Sequence, residues 1–151
     1  GTMNITKERI ADPARSYRFL QLDLAAFGGQ RHQHAEMELT WIESSSGLRF
    51  MGDSVAPYGP GDLVLVGPHL PHAWISARRR SGLRHTARVL QFAPSLLDAG
   101  RWPEMRAAAE LPQLARGGLA ITGTAHDAVT QAMARMPTAG GLRGRARLLG
   151  R

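Results

Sequence analysis

Short apolar runs separated by turn-forming residues fill the chain from about residue 17 to residue 93. Clusters of glycine, proline and serine divide these runs, as in Ser44-Ser45-Ser46-Gly47 and Tyr58-Gly59-Pro60-Gly61-Asp62. Several short strands at regular spacing are typical of an all-β sandwich or barrel. The predicted strands are Arg18–Ala26, Met37–Glu43, Leu48–Val55, Leu63–Val66, Ala73–Ala77 and Thr86–Phe92.

The hydrophobic spacing becomes helical after Phe92. Val129, Met133 and Met136 fall on one helical face, and Pro137 ends that helix because proline lacks the N–H that a helix interior requires. We therefore predict a strand-rich first two-thirds followed by a small helical segment. Further helix signals are a capping-box pattern at Ser95–Asp98, Pro103 and Glu104 in a first turn, a break at Pro112, a second helix start at Thr124–Asp127, and a last helix over Leu142–Arg151.

The composition is that of a single globular domain. The length is 151 residues, with 43% hydrophobic and 21% charged residues, which excludes a largely disordered chain. The chain has no cysteine, which excludes disulfides, thiolate metal sites and a cysteine nucleophile. The apolar runs are short and no leader pattern precedes them, so we expect no membrane association and a cytoplasmic location. Gly1 and Thr2 before Met3 are typical of an expression-tag remnant, so residues 1–3 are set aside.

The net charge of +7 is concentrated in the last third of the chain. Residues 1–100 carry 11 basic and 9 acidic side chains, whereas residues 101–151 carry 8 and 3. The excess is dispersed arginine, without the aromatic interleaving or recognition-helix pattern of a nucleic-acid-binding surface. We therefore do not expect this chain to contact DNA directly.

The stretch from His32 to Glu38 carries four side chains that can bind a metal ion. Alternate residues of a strand share a face, so His32 and His34 point to one centre. Glu36 and Glu38 are in phase with them if the strand is regular. Imidazole nitrogen and carboxylate oxygen suit a divalent metal such as Zn, Ni, Mn, Cu or Fe(II).

A second stretch ends at another histidine. A turn at Gly61 precedes the strand Leu63–Val66, and the segment after that strand leads to His72. If His72 lies opposite the first stretch, two or three imidazoles and a carboxylate gather and leave an open coordination position. The same side chains can also be polar pocket groups that bond to one another and to a ligand. The residues alone leave both interpretations open.

These two stretches resemble the two sequence motifs of the cupin superfamily. His32, His34 and Glu38 match the first motif, and Gly61 and His72 match the second. The resemblance implies a metal bound by His32, His34, Glu38 and His72, although many related sensor domains keep the barrel without a metal. The departures are Gly67 in place of the usual proline, His69 in place of glycine and Ser76 in place of asparagine.

A narrower resemblance is to the sensor domain of AraC-type transcription regulators. It is carried by the runs His34–Trp74, Val89–Phe92 and Leu114–Met136, and the resemblance extends over nearly the whole chain. It implies a mainly β fold, a cupin-type double-stranded β-barrel (jelly roll) over residues 4–95 that binds a small effector. It also implies a small helical segment over residues 96–151 that supports a homodimer. This segment would lead to a DNA-binding domain with two helix-turn-helix motifs that is absent from this chain.

Six side chains are candidates for contact with the effector. Aromatic walls with a few polar groups are typical of small-molecule pockets, an arginine can pair with an anion, and a carboxylate can accept from an imidazole. Each aromatic can instead belong to the core, and the arginine to a surface ion pair. His69, His85 and His126 lie outside this constellation and are expected at the surface. The six candidates are Glu36, Trp41, Arg49, Tyr58, Trp74 and Phe92.

Three functions remain open from the sequence. The first is the sensor domain of a regulator, for which the resemblance suggests a sugar as effector. The second is a stand-alone metal-dependent cupin enzyme of isomerase or dioxygenase type, in which Glu36 is the nearest candidate acid or base. The third is a dimerisation module with a vestigial pocket. We favour the first, in which the effector changes the population of domain arrangements and thereby the occupancy of DNA.

Overall fold

The computed structural model describes residues 5–8, 17–77, 82–98, 100, 103–137 and 141–144. Within these ranges the chain is mainly β, with a short helical segment after the ninth strand. Two 3-10 helices cover Pro94–Leu97 and Pro103–Ala108, and the α-helices are α1 (Leu111–Leu114) and α2 (Gly123–Arg135). The strands are β1 (Ile5–Glu8), β2 (Tyr17–Leu24), β3 (Arg31–His34), β4 (Met37–Ser44), β5 (Gly47–Met51), β6 (Ser54–Tyr58), β7 (Leu63–Val66), β8 (His72–Ser76), β9 (His85–Phe92), β10 (Leu119–Ala120) and β11 (Gly141–Gly144).

The strands form two sheets. The first sheet has the order β1-β3-β8-β5-β6, and the second has the order β10-β7-β4-β9-β2-β11. Neighbouring strands are antiparallel except for β1 with β3 and β2 with β11, which are parallel. This architecture confirms the fold class that the sequence predicts, a mainly β protein with a small helical segment at its C-terminal side.

The main hydrophobic core lies between the two sheets. Along β9 every second residue is buried, namely His85, Ala87, Val89 and Gln91, because alternate side chains of a strand share a face. The core draws on both sheets, so the burial of each sheet depends on the other. Its members are Leu20, Leu22, Leu24, Phe27, Ile42, Met51, Tyr58, Val64, Val66, Trp74, Ala87 and Val89.

The helical segment covers the other face of the second sheet. Met133 of α2 is buried against Phe19 and Leu63, and Val129 and Met136 pack beside it. This contact confirms the predicted apolar face of α2. It also explains why all four residues of β7 are buried, since Val64 and Val66 face the core between the sheets while Leu63 and Leu65 face the helical side.

Polar contacts hold α2 at both ends. Near its start, Nε2 of His126 bonds to the carbonyl oxygen of Gly61. Near its end, Nη1 of Arg88 donates to the carbonyl oxygen of Ala134 over 3.2 Å, and the Arg88 guanidinium lies 5.7 Å from the ring centre of Trp41. A cation at the C-terminal end of a helix also interacts favourably with its dipole. Hydrogen bonds at both ends of α2, together with its apolar packing, therefore hold the helix in position on the sheet.

The predicted strand Leu48–Val55 is wrong as a single element. The structure has a hairpin there, in which β5 ends at Met51 and β6 begins at Ser54. The turn contains Gly52 with a φ of 57°, a left-handed conformation that glycine adopts without a steric penalty. The missed signal is the Gly52-Asp53 pair, which is typical of a tight turn between two strands.

The ends of the helical segment also differ from expectation. The Ser95 capping box does not form, since the 3-10 helix begins at Pro94 after Ala93. Pro112 does not break a helix but lies in the first turn of α1, where its missing N–H costs nothing. The helix predicted from Leu142 is wrong over residues 142–144, which belong to β11, and residues 145–151 lie outside the described part.

No helix of the described ranges combines the length and apolar character needed to cross a membrane.

Replacement of Gly67 by alanine should destabilise the protein. A Cβ at this position would lie 2.6 Å from the carbonyl oxygen of Ala115, and the N–H of Gly67 donates to that same oxygen over 3.0 Å. We expect Gly67→Ala to lower the free energy of unfolding by about 1–3 kcal/mol, because a backbone atom must move. Urea denaturation checks this. Gly59→Ala is the control, since nothing lies within 4 Å of its Cβ position, and equal stability of both variants would contradict the prediction.

The docking of α2 should weaken at alkaline pH. The Asp127 carboxylate and the Gly61 carbonyl raise the pKa of His126 above 6.5. The protonated form therefore stabilises the folded state fully below pH 6.5, and this contribution is lost as the pH rises through the higher folded-state pKa. The stability difference between the wild type and His126→Gln, measured by urea denaturation, should shrink between about pH 5.5 and about pH 9. A difference that stays constant or grows with pH would contradict this.

Candidate functional site

Three of the four predicted metal ligands meet in the interior. His34 ends β3, Glu38 lies near the start of β4, and His72 begins β8. One ligand atom from each lies within 4.8 Å of the other two, and all three side chains are buried. The short β3–β4 connection, residues 35–36, returns the chain so that Glu38 faces His34. The predicted convergence of the two motifs is therefore present in the structure.

The two imidazoles present the same nitrogen to Glu38. Nδ1 of His34 lies 2.9 Å from the carbonyl oxygen of Glu36, and Nδ1 of His72 lies 2.8 Å from that of Leu70. A carbonyl can only accept, so each Nδ1 carries the proton and donates it. Nε2 then faces the carboxylate, at 3.2 Å for His34 and 3.5 Å for His72. An unprotonated Nε2 and a carboxylate oxygen both accept, so this arrangement requires a cation between them, either a proton or a metal ion.

Glu38 is fully buried and remains ionised. Burial by itself raises its pKa, but the nearby His72 and His34 outweigh burial and hold the pKa of Glu38 well below 4.5. Two further groups orient the carboxylate: the Thr40 hydroxyl donates to Oε2 over 2.6 Å, and the Gln91 amide donates to Oε1 over 3.2 Å. The group of His34, Glu38 and His72, called the centre from here on, therefore holds a fixed negative charge in the interior.

His32 stands beside the centre but outside the three-residue group. It is the direct cross-strand partner of His72 on the neighbouring strand, and the two ring centres are 6.2 Å apart. Burial, followed by the charge on His72, lowers the pKa of His32 to about 4, so it is neutral at neutral pH. The ring of Trp74 lies edge-on to His72 at 5.9 Å. Nε1 of Trp74 is buried and makes no hydrogen bond within the described part of the chain.

The predicted effector residues do not form one pocket. The Glu36 carboxylate is half-buried and lies 3.7 Å from Nδ1 of His34, the ring nitrogen that does not face Glu38. Trp74 lies in the core near the centre. Trp41 and Phe92 lie on the other face of the second sheet, packed against the helical segment. Two aromatic candidates are therefore separated from the imidazoles by the sheet itself.

Tyr58 belongs to a second polar cluster at the other end of the core. Its hydroxyl lies 2.8 Å from the Ser45 hydroxyl, which also bonds to Nδ1 of His85. All three side chains are buried, so the expectation of a surface position for His85 is wrong. The cluster joins β6 of the first sheet to β9 of the second.

The remaining candidates lie at the surface or at a cavity. His69 is exposed, and among the described residues it is the one non-glycine residue with a positive φ, 63°. His126 is half-buried and bonds to Gly61 and Asp127. It lines a cavity of about 400 Å³ together with Arg49 and Asp62. Arg49 is thus the one predicted effector residue that reaches this cavity.

Thr40 and Gln91 are the residues of the centre that sequence reasoning missed. Thr40 lies two positions after Glu38 on the same strand and therefore on the same face, so strand periodicity could have found it. Gln91 is the cross-strand partner of Glu38 on β9. Its role depends on the pairing of β4 with β9, which no local sequence signal specifies.

The fold is similar to that of ToxT from Vibrio cholerae. A structure of ToxT at 1.65 Å resolution matches with a TM-score of 0.54 and 10% identity, covering 83% of this chain and 50% of ToxT. Apo ToxT K231A from strain SCE256 matches with a TM-score of 0.52 and 12% identity, covering 83% of this chain and 49% of ToxT. These matches confirm the predicted fold class, a mainly β domain followed by a small helical segment.

A weaker similarity is to a cupin 2 conserved barrel domain protein from Rhodopseudomonas palustris. It has 20% identity and a TM-score of 0.37, covering 56% of this chain and 57% of that protein. No protein-family model and no curated protein matches the sequence. The chain spans about half the length of the ToxT structures.

Replacement of Thr40 by valine should destabilise the protein by about 1.5–3 kcal/mol, the range for a hydrogen bond to a charged group. The change keeps the shape of the side chain but leaves the buried Glu38 carboxylate without a donor that lies 2.6 Å away. Urea denaturation measures the effect. Thr86→Val is the matched control, since the Thr86 hydroxyl bonds to Ser44 at an exposed site. If both variants lost the same stability, Glu38 would not depend on Thr40.

Proposed function

We propose that this chain is the effector-sensing domain of an AraC-type transcription regulator. The observation that carries the proposal is the fold shared with ToxT, an AraC-type regulator, over 83% of this chain. The effector is a small molecule, for which the sequence resemblance suggests a sugar. The barrel over residues 4–95 binds it, and the helical segment from residue 96 supports a homodimer. The whole regulator is cytoplasmic, and its DNA contacts come from a further domain outside this chain.

The gene beyond the codon for Arg151 tests this proposal. We expect the natural reading frame to continue into two helix-turn-helix motifs, because an AraC-type regulator reads DNA with such a pair. Sequencing of the native transcript across this codon gives the answer. A stop codon directly after Arg151 would contradict the regulator and favour a stand-alone protein.

We also propose a divalent metal ion, Zn, Ni, Mn or Fe(II), held by His34, Glu38 and His72. The donor set supports this, since both Nε2 atoms face a carboxylate that accepts rather than donates. The Leu70 and Glu36 carbonyls already fix the ring orientation that a metal ligand needs. His32 remains a predicted fourth ligand, and its side chain lies outside the three-residue group. A bound metal would keep an open coordination position.

The second candidate function is a metal-dependent cupin enzyme. The observation that favours it is the two-histidine, one-carboxylate arrangement of the centre, which is typical of Fe(II) oxygenases with open positions. The metal would then supply substrate polarisation or oxygen activation. Glu36, whose carboxylate lies 3.7 Å from Nδ1 of His34, remains the candidate acid or base from the sequence. Binding of an effector without turnover supports the sensor, whereas turnover by the metal-loaded protein supports the enzyme.

Single replacements should separate metal ligands from other histidines. His34→Ala and His72→Ala each remove one of three ligands, so zinc affinity should fall by at least about tenfold in both, as expected when a coordinating group is lost. Competition titration with a chromogenic chelator and elemental analysis of the purified protein measure this. His69→Ala is the control, since His69 is exposed and outside the group. Zinc affinity equal to wild type in both ligand variants would contradict the metal site.

A further inference from the structure

A cavity of about 400 Å³ lies where the first sheet, the β6–β7 turn and the start of α2 meet. Its volume is within the range of small-molecule sites. None of the metal-site residues contributes to it, so it is separate from the His34–Glu38–His72 centre. Its lining residues include Arg49 and Pro57 from the first sheet, Asp62 and Leu63 after the turn, and Ile121 and His126 on the helical side.

Arg49 faces this cavity with unused hydrogen-bond donors. Its side chain is only 18% exposed, and Nη1 lies 3.6 Å from Oδ2 of Asp62, which is longer than a hydrogen bond. The Arg49 guanidinium has no hydrogen bond among the residues that the structure describes. Asp62 already accepts at Oδ2 from the N–H of Gly59 over 3.1 Å. A guanidinium has five donors in a planar fork, so most of those of Arg49 remain available to a ligand.

We propose that this cavity is the effector site and that the effector is a small monocarboxylate whose carboxylate pairs with Arg49. The proposal rests on the proposed sensor function, and it replaces the sugar that the sequence resemblance suggests with a different chemical class of effector. A carboxylate matches the guanidinium fork with two parallel charge-assisted hydrogen bonds. The fork is available without the loss of any hydrogen bond that the Arg49 side chain now makes to the described protein.

The other walls of the cavity restrict the ligand further. Pro57, Leu63 and Ile121 present apolar surface, which suits a short hydrocarbon body. Asp62 places a negative charge beside Arg49, so a second negative charge on the ligand would be repelled. This disfavours dicarboxylates and phosphates and leaves a single carboxylate with an apolar or weakly polar body.

The location of the cavity connects binding to the helical segment. Thr122, Gly123 and His126 line one side and belong to the start of α2 or its N-cap, whereas Arg49 and Pro57 belong to the first sheet. His126 bonds across the cavity rim to the carbonyl oxygen of Gly61. A ligand between these walls contacts both the sheet and the helix. If the ligand binds one arrangement of α2 more tightly than another, it increases the population of the arrangement that it binds more tightly.

Binding of matched acid and amide probes to the 151-residue protein tests the proposal. The probes are hexanoate and benzoate, each compared with its primary amide, which keeps the shape and loses the charge. Isothermal titration calorimetry gives the affinities. We expect saturable binding of at least one acid with an affinity at least about tenfold above that of its amide, and a loss of about tenfold in Arg49→Gln. Arg84→Gln is the matched control, because Arg84 pairs with Asp23 on an exposed surface.

Two results would overturn the proposal: no saturable binding of either acid at millimolar concentration, or equal affinity in the wild type and Arg49→Gln. If Arg49→Gln does not fold, Arg49→Lys replaces it, since lysine keeps the charge but loses the fork, and undiminished affinity in that variant counts against bidentate pairing. A negative result together with a reading frame that continues into helix-turn-helix motifs would reject this site alone. A stop codon after Arg151 would reject the sensor function itself.

Discussion

The buried charge of Glu38 is the constraint on which the two sheets depend. The carboxylate is fully buried, and its partners come from four strands: His34 on β3, Thr40 on β4, His72 on β8 and Gln91 on β9. Two of these strands belong to the first sheet and two to the second. Loss of one partner from a buried charge is costly because the charge then lacks compensation. A shift of any of these strands by one residue would turn its contact to the opposite face, so the centre specifies the register of both sheets.

The second sheet is buried on both faces, because its inner face packs against the first sheet and its outer face packs against the helical segment. The inner face carries the centre at one end of β9 and the Ser45–Tyr58–His85 cluster at the other, about 20 Å apart at the usual rise per strand residue. The outer face receives Met133 and Val129 of α2. The cavity at Arg49 lies between the first sheet and the start of α2. In this arrangement the His34–Glu38–His72 centre is separate from the cavity at which the first sheet meets the helical segment.

The sequence predicts most strands because their alternation and their turn residues are local properties. The predicted strand Leu63–Val66 has the observed bounds, and His34, Glu38 and His72 converge as their motifs imply. Alternation tells which residues share a face, but it does not tell what covers that face. Trp41 is therefore predicted at the pocket, although helix α2 covers its side of the sheet.

Long-range pairing explains the other differences. His85 is isolated in sequence because its partner Ser45 lies 40 positions before it, and Tyr58, which bonds to Ser45, lies 27 positions before it. Gln91 reaches Glu38 only through the pairing of β4 with β9. The cavity at Arg49 likewise needs residues from three separate segments. Such groupings arise from topology, which a single sequence does not specify residue by residue.

A crystal structure of the protein grown with zinc, with diffraction data collected at the zinc absorption edge, decides whether the Glu38 centre binds a metal. Metal binding there predicts one anomalous peak about 2.0–2.2 Å from Nε2 of His34, Nε2 of His72 and a carboxylate oxygen of Glu38. A map without a peak between these three side chains would contradict it. The cation that balances Glu38 would then be a proton on the imidazoles, and the centre would serve only to hold the two sheets in register.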